Sequence, residues 1–500
     1  MRRKKFAKNT ISSFVFQIAT IICGFILPRM ILQSFGSEVN GLVNSIAQFL
    51  GIISFLELGV GAVVQSSLYK PLADKDDKGI SKIVVSAEKF FRRLAQILLA
   101  YVVMLIFVYP LIAKQNFGFL YTATLIAAMS ISLFAQYYFG IVYRLLLTAD
   151  QSGYISFNAQ TITLLLNTFA CFALIQSGAS IQVIKLTTTL IYLMRPVALA
   201  WYVMRHYSLN KKIKYVGEPI KQKWSGVAQH VAAVVLDSTD TIVLTIFASL
   251  SAVSIYSVYY LVISGVKQLF LSMTNGIQAL LGELWAKQEL GTLNNTFSWT
   301  EWIIHTGTTY VFCCTALLIV PFMKVYTHGI NDANYIQPLF ALLITVANAG
   351  HCLRLPYNLM ILAGGHFKQT QSNYIVAAVL NIVISILMVQ HFGLIGVAIG
   401  TLIAMMYQTI WMATYVSKNL INWPIKNFIK QFAIDIITAI MMYTATKWIY
   451  LSSISYLSWV IMAIKIAAIS AIVVALINLV FYHDKIMKLP RMLKKKGQKV

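Results

Sequence analysis

Apolar runs of about twenty residues recur along the whole chain and are separated by short polar stretches. A run of that length matches the hydrocarbon thickness of a bilayer rather than the single apolar stripe of a soluble helix. Fitting the runs to that length predicts about fourteen transmembrane helices. They fall near 10–32, 41–65, 94–113, 119–143, 154–176, 184–203, 226–248, 252–281, 300–322, 337–362, 372–390, 394–416, 432–451 and 457–482. The predicted fold class is an all-α polytopic membrane protein.

The polar connections alternate in character. "QSFGSE", "KQNFG", "SGAS", "HFG" and "SSISY" are short and nearly uncharged. "MRRKKFAKN", "KPLADKDDKGISKIVVSAEKFFRR", "RHYSLNKKIKYVGEPIKQKW", "SKNLINWPIKNFIK" and the tail are basic. About 31 of the 40 Lys and Arg fall on the second set's side and about four on the other. Lys and Arg hold loops in the cytoplasm, so both termini are expected there, in a plasma membrane. The basic start could open a signal peptide, but its apolar run is too long and no small-residue cleavage site follows. It reads as a retained first span.

Composition agrees with this pattern. The chain is 58% hydrophobic and 11% charged, against about one quarter charged in an average soluble domain. Its net charge of +24 suggests nucleic acid only until its location is read. The excess lies beside the spans, where its partners are membrane lipids, and no nucleic-acid partner is implied. From Ile80 to Arg93 apolar and charged residues alternate at helical spacing, which predicts a short amphipathic helix on the inner surface. "NLINWPIKNFIKQF" predicts a similar one, with Trp423 at the interface.

Sliding the sequence on itself by 214 residues keeps the hydropathy pattern in step. Ser37, Val39 and Gly51 fall on Ser251, Val253 and Gly265; Tyr143, Leu145 and Ala149 fall on Tyr357, Leu359 and Ala363. Asn167 falls on Asn381, and Ile181, Val183 and Thr187 fall on Ile395, Val397 and Thr401. Spans 1–6 then match spans 7–12 in the same orientation, a parallel repeat about an axis normal to the membrane. The expected organisation is a first six-helix lobe over 1–208, a cytoplasmic linker over 209–223 and a second lobe over 224–418. Two further spans and a basic cytoplasmic tail follow over 419–500. Facing lobes would enclose a central cleft suited to alternating access. The last two spans either pack on one lobe or supply an apolar groove for a lipid tail.

Catalytic motifs are absent: no Walker A loop, zincin, nucleophile elbow or dinucleotide fingerprint occurs. No catalytic residue, metal or cofactor is predicted. "DKDD" at Asp74–Asp77 sits in a polar loop of mixed charge and reads as solvated. Cys23, Cys171, Cys313, Cys314 and Cys352 lie in apolar runs without ligand spacing and read as small buried hydrophobes. His230, His305 and His351 likewise read as packing residues. Gly396 and Gly400 form a G-x-x-x-G, the signature of close helix packing.

What remains is charge within spans, which costs several kcal/mol in hydrocarbon and so faces protein or water. Arg29, after Pro28, either snorkels to the outer surface or faces the cleft. Arg354 and Arg144 lie at similar depth in the repeat, since Arg354 falls on Gly140, one turn from Arg144. Arginine stays charged and grips phosphate with two parallel bonds, so these two, with Arg29 and Lys267, are candidate substrate-binding residues. Glu57 and the pair Asp237 and Asp240, on one helix face, are candidates for sugar hydroxyls or a coupling ion. Arg195, before Pro196, and Lys465 read as structural.

The stretch "FGSEVNGLVNSIAQFLGIISFLELGVGAVVQSSLYKPLA", with "ILPRMIL" before it, resembles the start of bacterial polysaccharide flippases. These belong to the multidrug, oligosaccharidyl-lipid and polysaccharide exporter superfamily. The resemblance extends over the whole chain in span number, lobe repeat and orientation. It implies export of an undecaprenyl-diphosphate-linked oligosaccharide from inner to outer leaflet, with a coupling H+ or Na+ and other polysaccharide-assembly proteins as possible partners. The arginines would then hold the diphosphate. A drug or cation antiporter and a lipid-linked peptidoglycan precursor flippase are the alternatives within that fold. A multispan glycosyltransferase would need a long outer loop, which is missing.

Overall fold

The computed structural model describes residues 2–113, 117–215, 217, 219–220 and 227–488, and their side chains except at 2–4, 6, 54–59, 62, 227–235, 237 and 275. Among the described residues there are helices and no strands. In chain order these are α1 (Arg2–Gly51), α2 (Ser54–Ala73), α3 (Asp77–Ile112), α4 (Phe119–Ala135), a π-turn (Gln136–Gly140), α5 (Ile141–Ala149), α6 (Tyr154–Gln176), α7 (Ile181–His206) and α8 (Val227–Phe247). The second series is α9 (Leu250–Ala286), α10 (Leu290–Tyr326), α11 (Pro338–Leu353), α12 (Leu355–Ala363), α13 (Phe367–Phe392), α14 (Leu394–Asn419), α15 (Ile425–Thr446) and α16 (Tyr456–Phe481).

Twelve helical stretches among the described residues are long and apolar enough to cross a membrane. The about fourteen predicted segments are recovered when α1 is divided and α8, with its shorter apolar stretch Ser238–Phe247, is added. Gly36 divides α1: its φ of 79° is left-handed, where a side chain would strain the backbone. Apolar side chains point outward along the spans, with Leu111 82% and Phe169 72% exposed. In water such a surface would be unstable; in a bilayer it is the solvated one.

The chain divides into two compact units, Met1–Val258 and Tyr259–Val500. The division falls inside α9, because α8 packs on α1 and α2. In the first unit α1 packs on α6, α6 on α7 and α4 on α7. In the second, α13 pairs with α14, α11 with α14 and α10 with α11. The tight α13–α14 pair explains the G-x-x-x-G. A Cβ at Gly396 would lie 2.4 Å from the Met388 backbone, and one at Gly400 would lie 2.2 Å from Ser385 Oγ. Helices α15 and α16 pack on each other and on α10.

Two sequence expectations change. The amphipathic segment at Ile80–Arg93 is not a separate surface helix: it is the first half of α3, which runs unbroken for 36 residues. Its apolar face, Ile80, Ile83, Val84, Ala87 and Phe91, is buried in the core of the first unit. The acidic loop before it starts that helix, with Asp76 Oδ1 accepting from the Gly79 N–H at 2.9 Å. Similarly, the segment after Pro424 opens α15 rather than standing as a separate helix, and the half-buried Trp423 just before it is bonded within the protein. Its indole N–H donates to both carboxylate oxygens of Glu301 at 3.1 Å.

Candidate functional site

The fourth span of the first unit is not a regular helix. Between α4 and α5 the chain makes a π-turn over Gln136–Gly140, which adds a residue to the turn and leaves backbone groups out of register. Gly140 seats this turn against α7, for a Cβ there would lie 2.8 Å from Pro196 Cβ. A cavity of about 120 Å³ opens beside it, room for several waters and so for a small anionic group.

Polar side chains from α4, the π-turn, α5, α6 and α7 line this cavity: Ser132, Gln136, Arg144, Ser156, Gln160, Tyr192 and Arg195. Arg195 is fixed on two sides. Its Nε donates to Thr163 Oγ1 at 2.7 Å, and the guanidinium lies 3.7 Å from the Tyr192 ring centroid. Gln160 Nε2 donates to Ser156 Oγ at 3.1 Å. Two guanidinium groups line the cavity and no carboxylate does. Such a pocket favours an anion with several acceptor oxygens.

In the second unit the corresponding span also breaks. Helix α11 ends at Leu353 and α12 begins at Leu355, with Arg354 between them and Pro356 removing a backbone donor. Arg354 is 6% exposed, and its Nη2 donates to His351 Nδ1 at 2.8 Å. Guanidinium only donates, so that ring nitrogen accepts and carries no proton. Arg354 Nη1 also points to Met405 Sδ at 3.6 Å. Lys267, 7% exposed, donates to Tyr260 OH at 3.3 Å.

A larger cavity of about 570 Å³ lies between α10, α11, α14 and α15. Its walls are apolar, including Phe312, Leu342, Val346, Met406, Phe432 and Ile440, with Asp435 as the one charged side chain among them. At the 214-residue shift Ser132, Gln136 and Tyr192 of the polar cavity fall on Val346, Gly350 and Met406, all three of which line the apolar one. At these three positions the first half is polar and the second apolar, whereas Arg144 and Arg195 themselves fall on Asn358 and Thr409, outside the apolar wall.

The remaining predicted residues are distributed. Arg144 lines the polar cavity, whereas Arg354 and Lys267 lie in the second unit and Arg29 is half-buried on α1. Asp240, 3% exposed, accepts from Tyr256 OH at 2.9 Å. The side chains of Glu57 and Asp237 lie outside the described residues. Arg195, Gln136 and Gln160 join the site although the sequence reading set Arg195 down as structural and passed over the two amides. A charge in a span was the available signal for Arg195. The π-turn that gathers the others has no signature of its own beyond Gly140.

No known protein family and no curated protein sequence matches the chain. Solved structures do. The lipid II flippase MurJ in an inward closed conformation aligns over 95% of this chain and 99% of its own, with TM-score 0.70 and 16% identity. A multidrug resistance MATE family transporter of the MOP superfamily, inward-facing, aligns over 80% and 94%, with TM-score 0.59 and 15% identity. A MOP superfamily transporter from Pyrococcus furiosus, whose description points to a binding pocket of reversed polarity, aligns over 83% and 96%, with TM-score 0.56 and 15% identity. The chain is a multi-pass, all-helical protein with the fold shared by this flippase and these MOP superfamily transporters.

Proposed function

We propose that the chain is a flippase that carries an undecaprenyl-diphosphate-linked oligosaccharide from the inner to the outer leaflet of a bacterial plasma membrane by alternating access. It acts as a transporter without catalysis. Its termini are cytoplasmic, and its organisation is the two lobes, linker and C-terminal pair read from the sequence. The observation that carries this reading is the contrast between the two cavities. Three wall positions of the cavity that holds Arg144 and Arg195 fall, at the repeat shift, on wall positions of the apolar hollow. A lipid-linked diphosphate presents these two chemistries, a doubly charged head and a long apolar tail. Arg144 and Arg195 would replace the hydration of the diphosphate, and the α10–α15 hollow would accept isoprene units by close packing, since a tail that leaves the bilayer gains nothing from hydrophobic transfer. Arg29, Arg354 and Lys267 extend the basic lining in this proposal. Glu57, Asp237 and Asp240 serve sugar hydroxyls or a coupling H+ or Na+.

Lipid II, the cargo of one structural neighbour, has the same head and tail chemistry and differs in its sugar and peptide, so a peptidoglycan precursor is the second reading. A drug or cation antiporter fits less well, since a cationic cargo needs a carboxylate and the polar cavity has two guanidiniums and none.

The test is leaflet-resolved accumulation of lipid-linked sugar in cells lacking the chain, complemented with wild type, Arg195→Ala or Arg354→Ala. Inner-leaflet build-up cleared by wild type and not by Arg195→Ala supports the reading. No build-up in cells without any substitute flippase overturns it.

A further inference from the structure

The wall of the apolar cavity contains an acid that packing alone does not require. Asp435, on α15, is 7% exposed, lines the cavity and accepts from His305 on α10, Oδ2 to Nδ1 at 2.6 Å. His305 is 0% exposed, and its Nε2 has no hydrogen-bond partner among the described residues. The other carboxylate oxygen, Oδ1, accepts from Gln431 Nε2 at 3.1 Å, and Gln431 Oε1 accepts from Tyr482 OH at 2.6 Å. The carboxylate is thus held from two helices, with both oxygens engaged.

The surroundings determine what charge this pair carries. One turn before His305 on α10 stands Glu301, 3% exposed, which accepts from Tyr357 OH of α12 at 2.5 Å and from Trp423. Cys313 lies two turns further along α10 on the cavity wall. Just beyond α16, Lys485 donates to Ser298 O at 2.8 Å and lies 5.4–5.8 Å from the ring centroids of Trp299, Trp302 and Tyr482. Neither α11 nor α14 brings an ionisable side chain to the cavity wall. The buried groups are therefore the two carboxyl groups and the imidazole, with the half-buried Lys485 and the exposed Lys430, 5.5 Å from the Tyr482 ring centroid, on the outer side. Two acids and one imidazole are buried together, and His305, bonded directly to Asp435, is the buried group able to offset carboxylate charge by taking a proton. Uncompensated charge here would cost several kcal/mol.

We propose that His305 and Asp435 form a proton-binding site on the wall of the apolar cavity, through which the carrier takes up its coupling proton. This rests on the transporter reading above and supplies its ion and the place where that ion binds. The proton adds to His305 as the pair becomes imidazolium–carboxylate, and leaves when the pair opens to water. A lipid chain filling the cavity keeps water from Asp435, so occupancy and protonation are linked.

The test is a nitrogen-15 NMR titration of histidine-labelled full-length protein in lipid nanodiscs from pH 5 to 9. The His305 signal is assigned by its loss in His305→Asn. The expected result is one imidazole that converts between neutral and doubly protonated forms in that range, at a pH that changes in Asp435→Asn. A His305 signal that keeps one protonation state throughout, or titrates identically in Asp435→Asn, overturns the proposal. In cells, His305→Asn should fold, as judged by gel filtration, and lose the response of sugar-lipid clearance to an imposed pH gradient. Retention of that response also overturns it. If His305 titrates as expected while no sugar-lipid accumulates without the chain, the proton site stands and the cargo assignment falls.

Discussion

Asn40 Nδ2 donates to Ser254 Oγ at 2.7 Å across 214 residues, and 214 is the shift that superposes one half of the sequence on the other. The bond joins two residues that the sequence shift pairs, and both belong to the first compact unit. The backbones nearly touch there: a Cβ at Gly41 would lie 1.8 Å from the Leu250 carbonyl oxygen.

Replacing Gly41 by Ala should therefore force α1 from the start of α9 and abolish most folded protein. Asn40→Ala removes one buried hydrogen bond and should cost about 1–2 kcal/mol. Thermal unfolding in detergent, followed by gel filtration, separates the two: similar losses for both would mean that the close approach is not structural.

At the polar cavity, Arg195→Ala and Arg144→Ala should each reduce sugar-lipid export by about ten- to a hundredfold, the value of a charged hydrogen bond. Arg195→Lys should recover little, because an ammonium cannot stack on Tyr192 while bonding Thr163. Near-wild-type export by Arg195→Lys in the complementation assay would show that charge alone suffices.

In the apolar cavity, Ala439→Trp has room to be accommodated and should leave thermal stability within about 1 kcal/mol of wild type. Export should nevertheless fall, since the ring occupies the volume assigned to the lipid chain. Unchanged export, measured alongside unchanged expression, would place the tail elsewhere.

Burial pushes the Lys485 ammonium down to about 8, from an ordinary value of 10.5. Between those two pH values the unfolded chain binds more protons at this position than the folded one. Stability should therefore rise with pH from about 8 towards 10.5, and the burial cost is felt in full below 8. Lys485→Met should flatten this part of a melting-temperature profile recorded from pH 7 to 10.5. A profile with the same slope in the variant would assign the effect to another group.

The helical class and the spans are legible in the sequence, because hydropathy over twenty residues averages out local detail. The bonds inside the halves are not. Tyr143 and Tyr357 were visible as a matched pair, but nothing in the sequence joins the first to Glu88 at 3.0 Å or the second to Glu301. Trp423 reads as interfacial because a Trp beside Pro and Lys usually is, but its bond to a carboxylate more than a hundred residues away has no trace in the sequence. Arg144 was readable as a charge in a span. Arg195 was readable in the same way, but that the two share one cavity was not, because the π-turn beside that cavity cannot be deduced from periodicity. The partner of His305 was equally hidden, since Asp435 belongs to a helix outside the repeat.

The two Tyr–Glu bonds have a mechanical consequence. Tyr143 follows the π-turn and donates to Glu88 of α3, and Tyr357 follows the break at Arg354 and donates to Glu301 of α10. The tyrosines stand 214 residues apart and the acids 213, so the tether is present in each half while its register differs. Each interrupted span is thus moored to a long neighbouring helix just past its weak point, and bending there would have to break or carry that mooring.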